Sequence, residues 1–195
     1  MLLASMRGKA MRPFHAALLA GLPVLAMSWA ADAKVASSSD VGFAVQDGFD
    51  LASGDAAAVY ALIATPARWW NAAHSYSGNA ANLTIDPRAG GCFCEAVPAR
   101  DGKPAGSVEH ARVVYAAPGE ELRLSGALGP LQSEAVTGSL GFKIAPQGKG
   151  GLRVTMTYVV GGYARMPMSQ LAPLVDQVLS EQVQSLRRAA QAGRP

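Results

Sequence analysis

The chain has 195 residues, with 17 Lys+Arg against 14 Asp+Glu and a hydrophobic share of 50%. That length suits one domain with a sizeable core. No Lys/Arg-rich run stands in its body, which argues against nucleic acid and anionic membrane as partners.

The first 33 residues read as a signal peptide. Arg7, Lys9 and Arg12 form a basic start, Ala16 to Ala30 is apolar and uncharged, and Ala31-Asp32-Ala33 is a small-x-small cleavage site. The apolar run is about 15 residues and contains Pro23, short of the roughly 20 that span a bilayer. Cleavage before Lys34 is expected, leaving a single domain over 34–195. The product is periplasmic or secreted, without stable membrane insertion. Three of the basic residues and Asp32 leave with the peptide, so the mature chain is close to neutral.

From Lys34 to Asp40 the chain is Ser/Ala-rich and reads as a loose tail. Val41 to Gln46 reads as a first strand with Val41, Phe43 and Val45 on one face. Ser53 or Asp55 can cap a helix to about Ala64, with Val59, Tyr60, Leu62 and Ile63 as its apolar stripe. Pro66 opens a second short helical turn that carries Arg68, Trp69 and Trp70. Strands are predicted at 82–86, 92–97, 107–115 and 121–128, the last two flanking Ala116-Ala117-Pro118-Gly119.

Two later strands alternate most cleanly. Val136, Gly138, Leu140, Phe142 and Ile144 share one face, and Leu152, Val154, Met156, Tyr158 and Val160 share another. The last element is a long amphipathic helix from about Pro167 to Ala190. Its stripe is Leu171, Leu174, Val175, Val178, Leu179, Gln182, Val183 and Leu186. Pro173 leaves its start open to a slip or a bend.

Cys92 and Cys94, the only cysteines, stand at i and i+2 on one strand. Such neighbours close into a ring only with strain, so a free half-buried pair is expected. No zinc-ligand spacing, phosphate loop or nucleophile elbow is present, and no metal or cofactor is expected.

The order of parts is that of a helix-grip domain: an α+β fold in which a curved antiparallel sheet wraps a long C-terminal helix. Arg68-Trp69-Trp70, His74-Ser75-Tyr76-Ser77-Gly78, Gly90-Gly91 with Glu95, and the break at Leu128-Gly129-Pro130-Leu131 carry a resemblance. On these residues the chain resembles the START/Bet v 1-like (SRPBCC) superfamily, in a bacterial branch near the polyketide cyclase/dehydrase and chaperone-ATPase-activator relatives. The resemblance implies an apolar cavity between sheet and helix, and a small apolar molecule as partner.

Trp69, Trp70, Tyr76, Leu140, Phe142, Met156, Tyr158, Val178 and Gln182 are the candidate cavity residues, with Gly138 leaving room by its missing side chain. His110 and Arg112 fall on one strand face, with Glu109 on the other, and could bind a carboxylate or phenolate. Glu95 is expected to pair across strands.

Three functions follow. The leading one is binding or transport of a small hydrophobic ligand. The second is a cyclase or dehydratase with His74, His110 or Tyr158 as acid or base. The third is a protein-interaction module using the sheet edge or Trp69 and Trp70.

Overall fold

The computed structural model describes residues 34–193, and the signal-peptide expectation lies outside them. Eight strands form one antiparallel sheet: β1 (Lys34–Ser39), β2 (Gly42–Leu51), β3 (Leu83–Ile85), β4 (Cys92–Val97), β5 (Gly106–Ala117), β6 (Glu121–Ser125), β7 (Ala135–Gln147) and β8 (Gly151–Tyr163). Their spatial order is β1-β2-β8-β7-β6-β5-β4-β3. Helix α1 (Ala56–Ile63) and several 3-10 turns lie between β2 and β3, and α2 (Met168–Ala192) closes the described chain. None of these helices is long and apolar enough to cross a membrane.

The expected tail is a strand. Lys34 to Ser39 pairs with β2 along its length, and a bulge falls between Val35 and Ser37. An edge strand needs only backbone donors and acceptors on one side, so a Ser-rich segment can form one without an apolar pattern. Val41 is 75% exposed because it sits in the turn between β1 and β2, outside the alternation that buries Phe43 and Val45.

The late strands follow their pattern. Leu140, Phe142 and Ile144 of β7 and Val154, Met156 and Tyr158 of β8 are all buried, with Leu140 opposite Tyr158 and Phe142 opposite Met156. Asp55 caps α1 by accepting the Ala57 N–H. Pro66 opens a 3-10 turn, Pro66–Arg68. In α2, Ala172, Leu179, Gln182, Val183 and Leu186 face the core, and each large apolar member contributes about 1.5–3 kcal/mol by burial. Leu174 lies 54% exposed, because two residues on from Ala172 is about half a turn round the helix from that stripe. Pro173 is accommodated inside the helix.

Gly138 leaves no free room. An added Cβ would lie 2.4–2.6 Å from the Tyr158 ring, so the space spared on β7 is filled from β8. Tyr158 is locked there: its hydroxyl donates to the Gly126 carbonyl (3.0 Å) and accepts from the Leu128 N–H (3.0 Å).

Candidate functional site

The segment Trp69–Gly78 joins α2 to β4. Trp69 is buried, donates its indole N–H to the carbonyls of Leu62 (3.0 Å) and Ile63 (3.3 Å) and meets Phe142 edge to face. Trp70 packs beside it, ring centroids 5.3 Å apart, against Phe93, and donates to the His74 carbonyl. Trp69 fills the core, and the half-buried Trp70 packs at its margin.

On the helix side, the Asn71 N–H donates to Gln182 Oε1 (2.8 Å), and the Asn71 side-chain amide reaches Glu181 Oε2 (3.3 Å). His74 Nε2 lies 2.7 Å from the same carboxylate oxygen. Gln182 is fully buried, and its Nε2 has no hydrogen-bond partner. The Asn71 donor fixes the orientation of that amide: the atom facing an N–H must be the oxygen, which leaves the NH2 on the other side.

On the sheet side, Glu95 is the hub. Its two oxygens accept the backbone N–H groups of Tyr76 (3.1 Å) and Ser77, and His110 Nε2 lies 3.0 Å from Oε2. Burial alone would raise this carboxyl, but the hydrogen bonds from Ser77, Tyr76 and His110 outweigh it and hold it below the ordinary range. Burial pushes His110 down, against the raising effect of Glu95, so at neutral pH the imidazole is uncharged and donates Nε2–H to the carboxylate. Its ring packs 4.8 Å from Phe93 and 5.9 Å from Tyr76. The Tyr76 hydroxyl donates to the Gly129 carbonyl at 3.0 Å.

Arg112 does not join His110. Between Phe93 and Cys94 of β4, the partner on β5 jumps from Ala111 to Glu109, which makes His110 the extra residue of a bulge. His110 and Ala111 both face inward, and the alternation beyond them is flipped. Arg112 therefore lies on the outer face, half exposed, with its guanidinium on Glu109 and on the Gly90 carbonyl.

The cysteines are also corrected. Cys92 and Cys94 form a disulfide, with Cα atoms 5.4 Å apart. Two steps of an ideal strand cover about 6.4–6.8 Å, at the upper end of the span a disulfide bridges; β4 is shorter than that opposite the bulge, which brings the pair close to the commonest disulfide separation.

Of the acid–base candidates, Tyr158 is least able to act. Burial pushes its phenol up to about 12, against the lowering effect of the Leu128 N–H, and its hydroxyl is engaged both as donor and as acceptor. Leu140, Phe142 and Met156 line the inner sheet face, while Val178 is half-buried on α2. Glu95, Asn71 and Glu181 were not singled out from the sequence as site residues. Glu95 had a usable signal, a carboxylate in the inward phase of β4 beside Phe93. Glu181 had none, since only the fold brings it to His74. Among the described residues no group of three or more His, Cys, Asp or Glu could hold a metal.

No protein-family model matches this sequence, and no curated protein matches it. Solved structures do. A Staphylococcus aureus protein of unknown function, SA2116, superposes with a TM-score of 0.53 at 12% identity, over 77% of this chain and 96% of its own. The di-domain ARO/CYC StfQ from the steffimycin biosynthetic pathway gives 0.53 at 16% identity, over 78% of this chain and 50% of its own. A Rhodobacter sphaeroides protein gives 0.50 at 16% identity, over 83% of this chain and 99% of its own. These likenesses show the fold, an α+β helix-grip fold.

Proposed function

We propose that the protein binds a small hydrophobic molecule between the sheet and α2, with Gln182 as the polar group that orients it. The observation that carries this reading is the unpartnered side-chain NH2 of Gln182. A buried donor without a partner costs about 1–3 kcal/mol, and a ligand carbonyl or hydroxyl would satisfy it. The surroundings supply apolar contact: Trp69 and Phe142 touch, and Leu179, Val183 and Leu186 share the buried face of α2 with Gln182. Apolar walls with few convergent polar groups suit such ligands.

Native mass spectrometry with fatty-acid, sterol and neutral polyketide probes tests it. One probe per chain is expected, and Gln182→Leu should weaken oxygen-bearing probes about tenfold, equivalent to roughly 1.4 kcal/mol. Absence of micromolar binding by every probe, or equal binding by the variant, would overturn the reading.

A second reading is favoured by the Glu95–His110 pair, in which a neutral imidazole is oriented by a buried carboxylate as acid–base chemistry requires. It predicts turnover of a probe that His110→Gln abolishes while binding persists; equal turnover by parent and variant would remove it. Export belongs to the same proposal, resting on Arg7 to Ala33. The mass of the secreted product should begin at Lys34.

A further inference from the structure

The Cys92–Cys94 disulfide encloses a single residue. Cross-linking so short a loop takes almost the least freedom from the unfolded chain that a disulfide can take, so global stapling is a poor account of it. Its placement is more informative. Both cysteines are half-buried on the outer phase of β4, while Phe93 and Glu95, on the inner phase, are buried. Those two inner residues hold His110: Phe93 by ring contact at 4.8 Å and Glu95 through the 3.0 Å hydrogen bond. The step of the ladder spanned by the disulfide is also the step at which His110 is the extra residue of β5. With the bond open, no covalent link holds Cys92 and Cys94 at 5.4 Å, a separation below the roughly 6.4–6.8 Å of two regular strand steps. The change falls directly behind the Glu95–His110 pair.

We propose that Cys92–Cys94 is a reversible thiol–disulfide exchange site whose state sets the geometry of Glu95 and His110 on the opposite face of the sheet. The co-reactant is a dithiol. One of its thiolates attacks a cysteine Sγ and forms a mixed disulfide; the other cysteine leaves as a thiolate and takes up a proton. The second thiolate of the dithiol then displaces the first cysteine. Two electrons pass to the protein, and the dithiol ends as a disulfide. Both cysteines are only partly buried, which leaves them open to that attack as a fully buried bridge would not be. The proposal stands on the ladder geometry and does not depend on the ligand reading.

The test equilibrates the folded protein in dithiothreitol buffers of graded reduced-to-oxidised ratio, without denaturant. Thiols are counted by iodoacetamide mass tagging, while NMR follows the imidazoles of His110 and His74 and the amides of Tyr76 and Ser77. Two thiols should appear together and disappear on reoxidation, with the signals of His110, Tyr76 and Ser77 moving and those of His74 fixed. Cys92→Ser/Cys94→Ser should hold the reduced-state spectrum in every buffer; should that variant not fold, the wild-type titration alone decides. Tags that enter only after denaturation, a pair that will not close in oxidised buffer, or thiols that appear with His110 unmoved would each overturn the proposal.

Discussion

His74 and His110 each meet a carboxylate, yet the two pairs are built differently. His74 reaches Glu181 across the outer margin of α2, with side chains 28% and 42% exposed. His110 reaches Glu95 inside the sheet, with side chains 6% and 0% exposed. Glu181 also accepts from the Asn71 side chain, while Glu95 takes two backbone N–H groups that fix the chain at Tyr76 and Ser77. One segment, Trp69–Gly78, is thus tethered at one end by a solvated contact and at the other by a desolvated one. The distances are similar, 2.7 and 3.0 Å, so distance does not rank them. Burial does, because losing a partner costs little where water replaces it and much where it cannot.

The largest expected effect comes from deleting each carboxylate. Glu95→Ala strands three donors, at about 1–3 kcal/mol each before water enters, and should cost about 2–4 kcal/mol. Glu181→Ala should cost at most about 1 kcal/mol, as exposed pairs do. Urea denaturation of both variants measures the gap. Equal losses would break the comparison and mean that Glu95 is reached by water in solution.

A smaller effect should follow from pressing on the inner pair without touching its side chains. A Cβ at Gly126 would stand 2.5 Å from the His110 carbonyl oxygen and 2.7 Å from the Ala111 Cα, both backbone atoms of the bulge. Gly126→Ala should cost about 1–3 kcal/mol by overpacking and shift the imidazole resonances of His110 while leaving those of His74 in place. A shift of both would mean that the segment moves as one body and that the pairs are not independent.

This contrast also marks how far the sequence could be read. The alternation of β7 and β8 was plain because a strand buried on one face must alternate, and Leu140 to Tyr158 obey it. β5 was misread at Arg112 because a bulge adds one residue with no composition of its own, then reverses every face beyond it. A second register shift, between Val113 and Tyr115, breaks the alternation of that strand again. β1 was missed because its Ser-rich segment pairs through backbone alone. The disulfide is illegible in sequence because an ideal strand holds i and i+2 near the upper end of the span a bridge covers, whereas β4 holds them at 5.4 Å. At the site, Trp69, His110 and Gln182 were legible as large or polar residues in apolar phases. The contacts to α2 were not, since Asn71 meets Gln182 and His74 meets Glu181 only once α2 packs, more than a hundred residues later in the chain.

The smallest effect isolates the titration of His110. Burial lowers its folded pKa from the ordinary 6.5, with Glu95 only partly restoring it. As pH falls through 6.5 the unfolded chain gains a proton that the folded chain declines, so the unfolded state binds more protons and stability drops. The contribution is complete above 6.5 and is lost as pH falls to the folded value. Glu95, also lowered, from 4.5, has the same sign in a more acidic window. Asp176, raised by burial and by Asp47 from 3.8, has the opposite sign, with a contribution present at and below 3.8 and lost as pH rises through its folded value. A single stability curve mixes these groups; the difference between wild type and His110→Gln cancels the carboxylates that do not touch the imidazole, and Glu95, which loses the bond from His110 in the variant, contributes only in the more acidic window. The advantage of the wild type should be greatest above pH 6.5, shrink below it and level off once the folded imidazole is protonated. Parallel curves would show that His110 binds protons equally in both states. That result would place water at the inner pair and remove the distinction from His74.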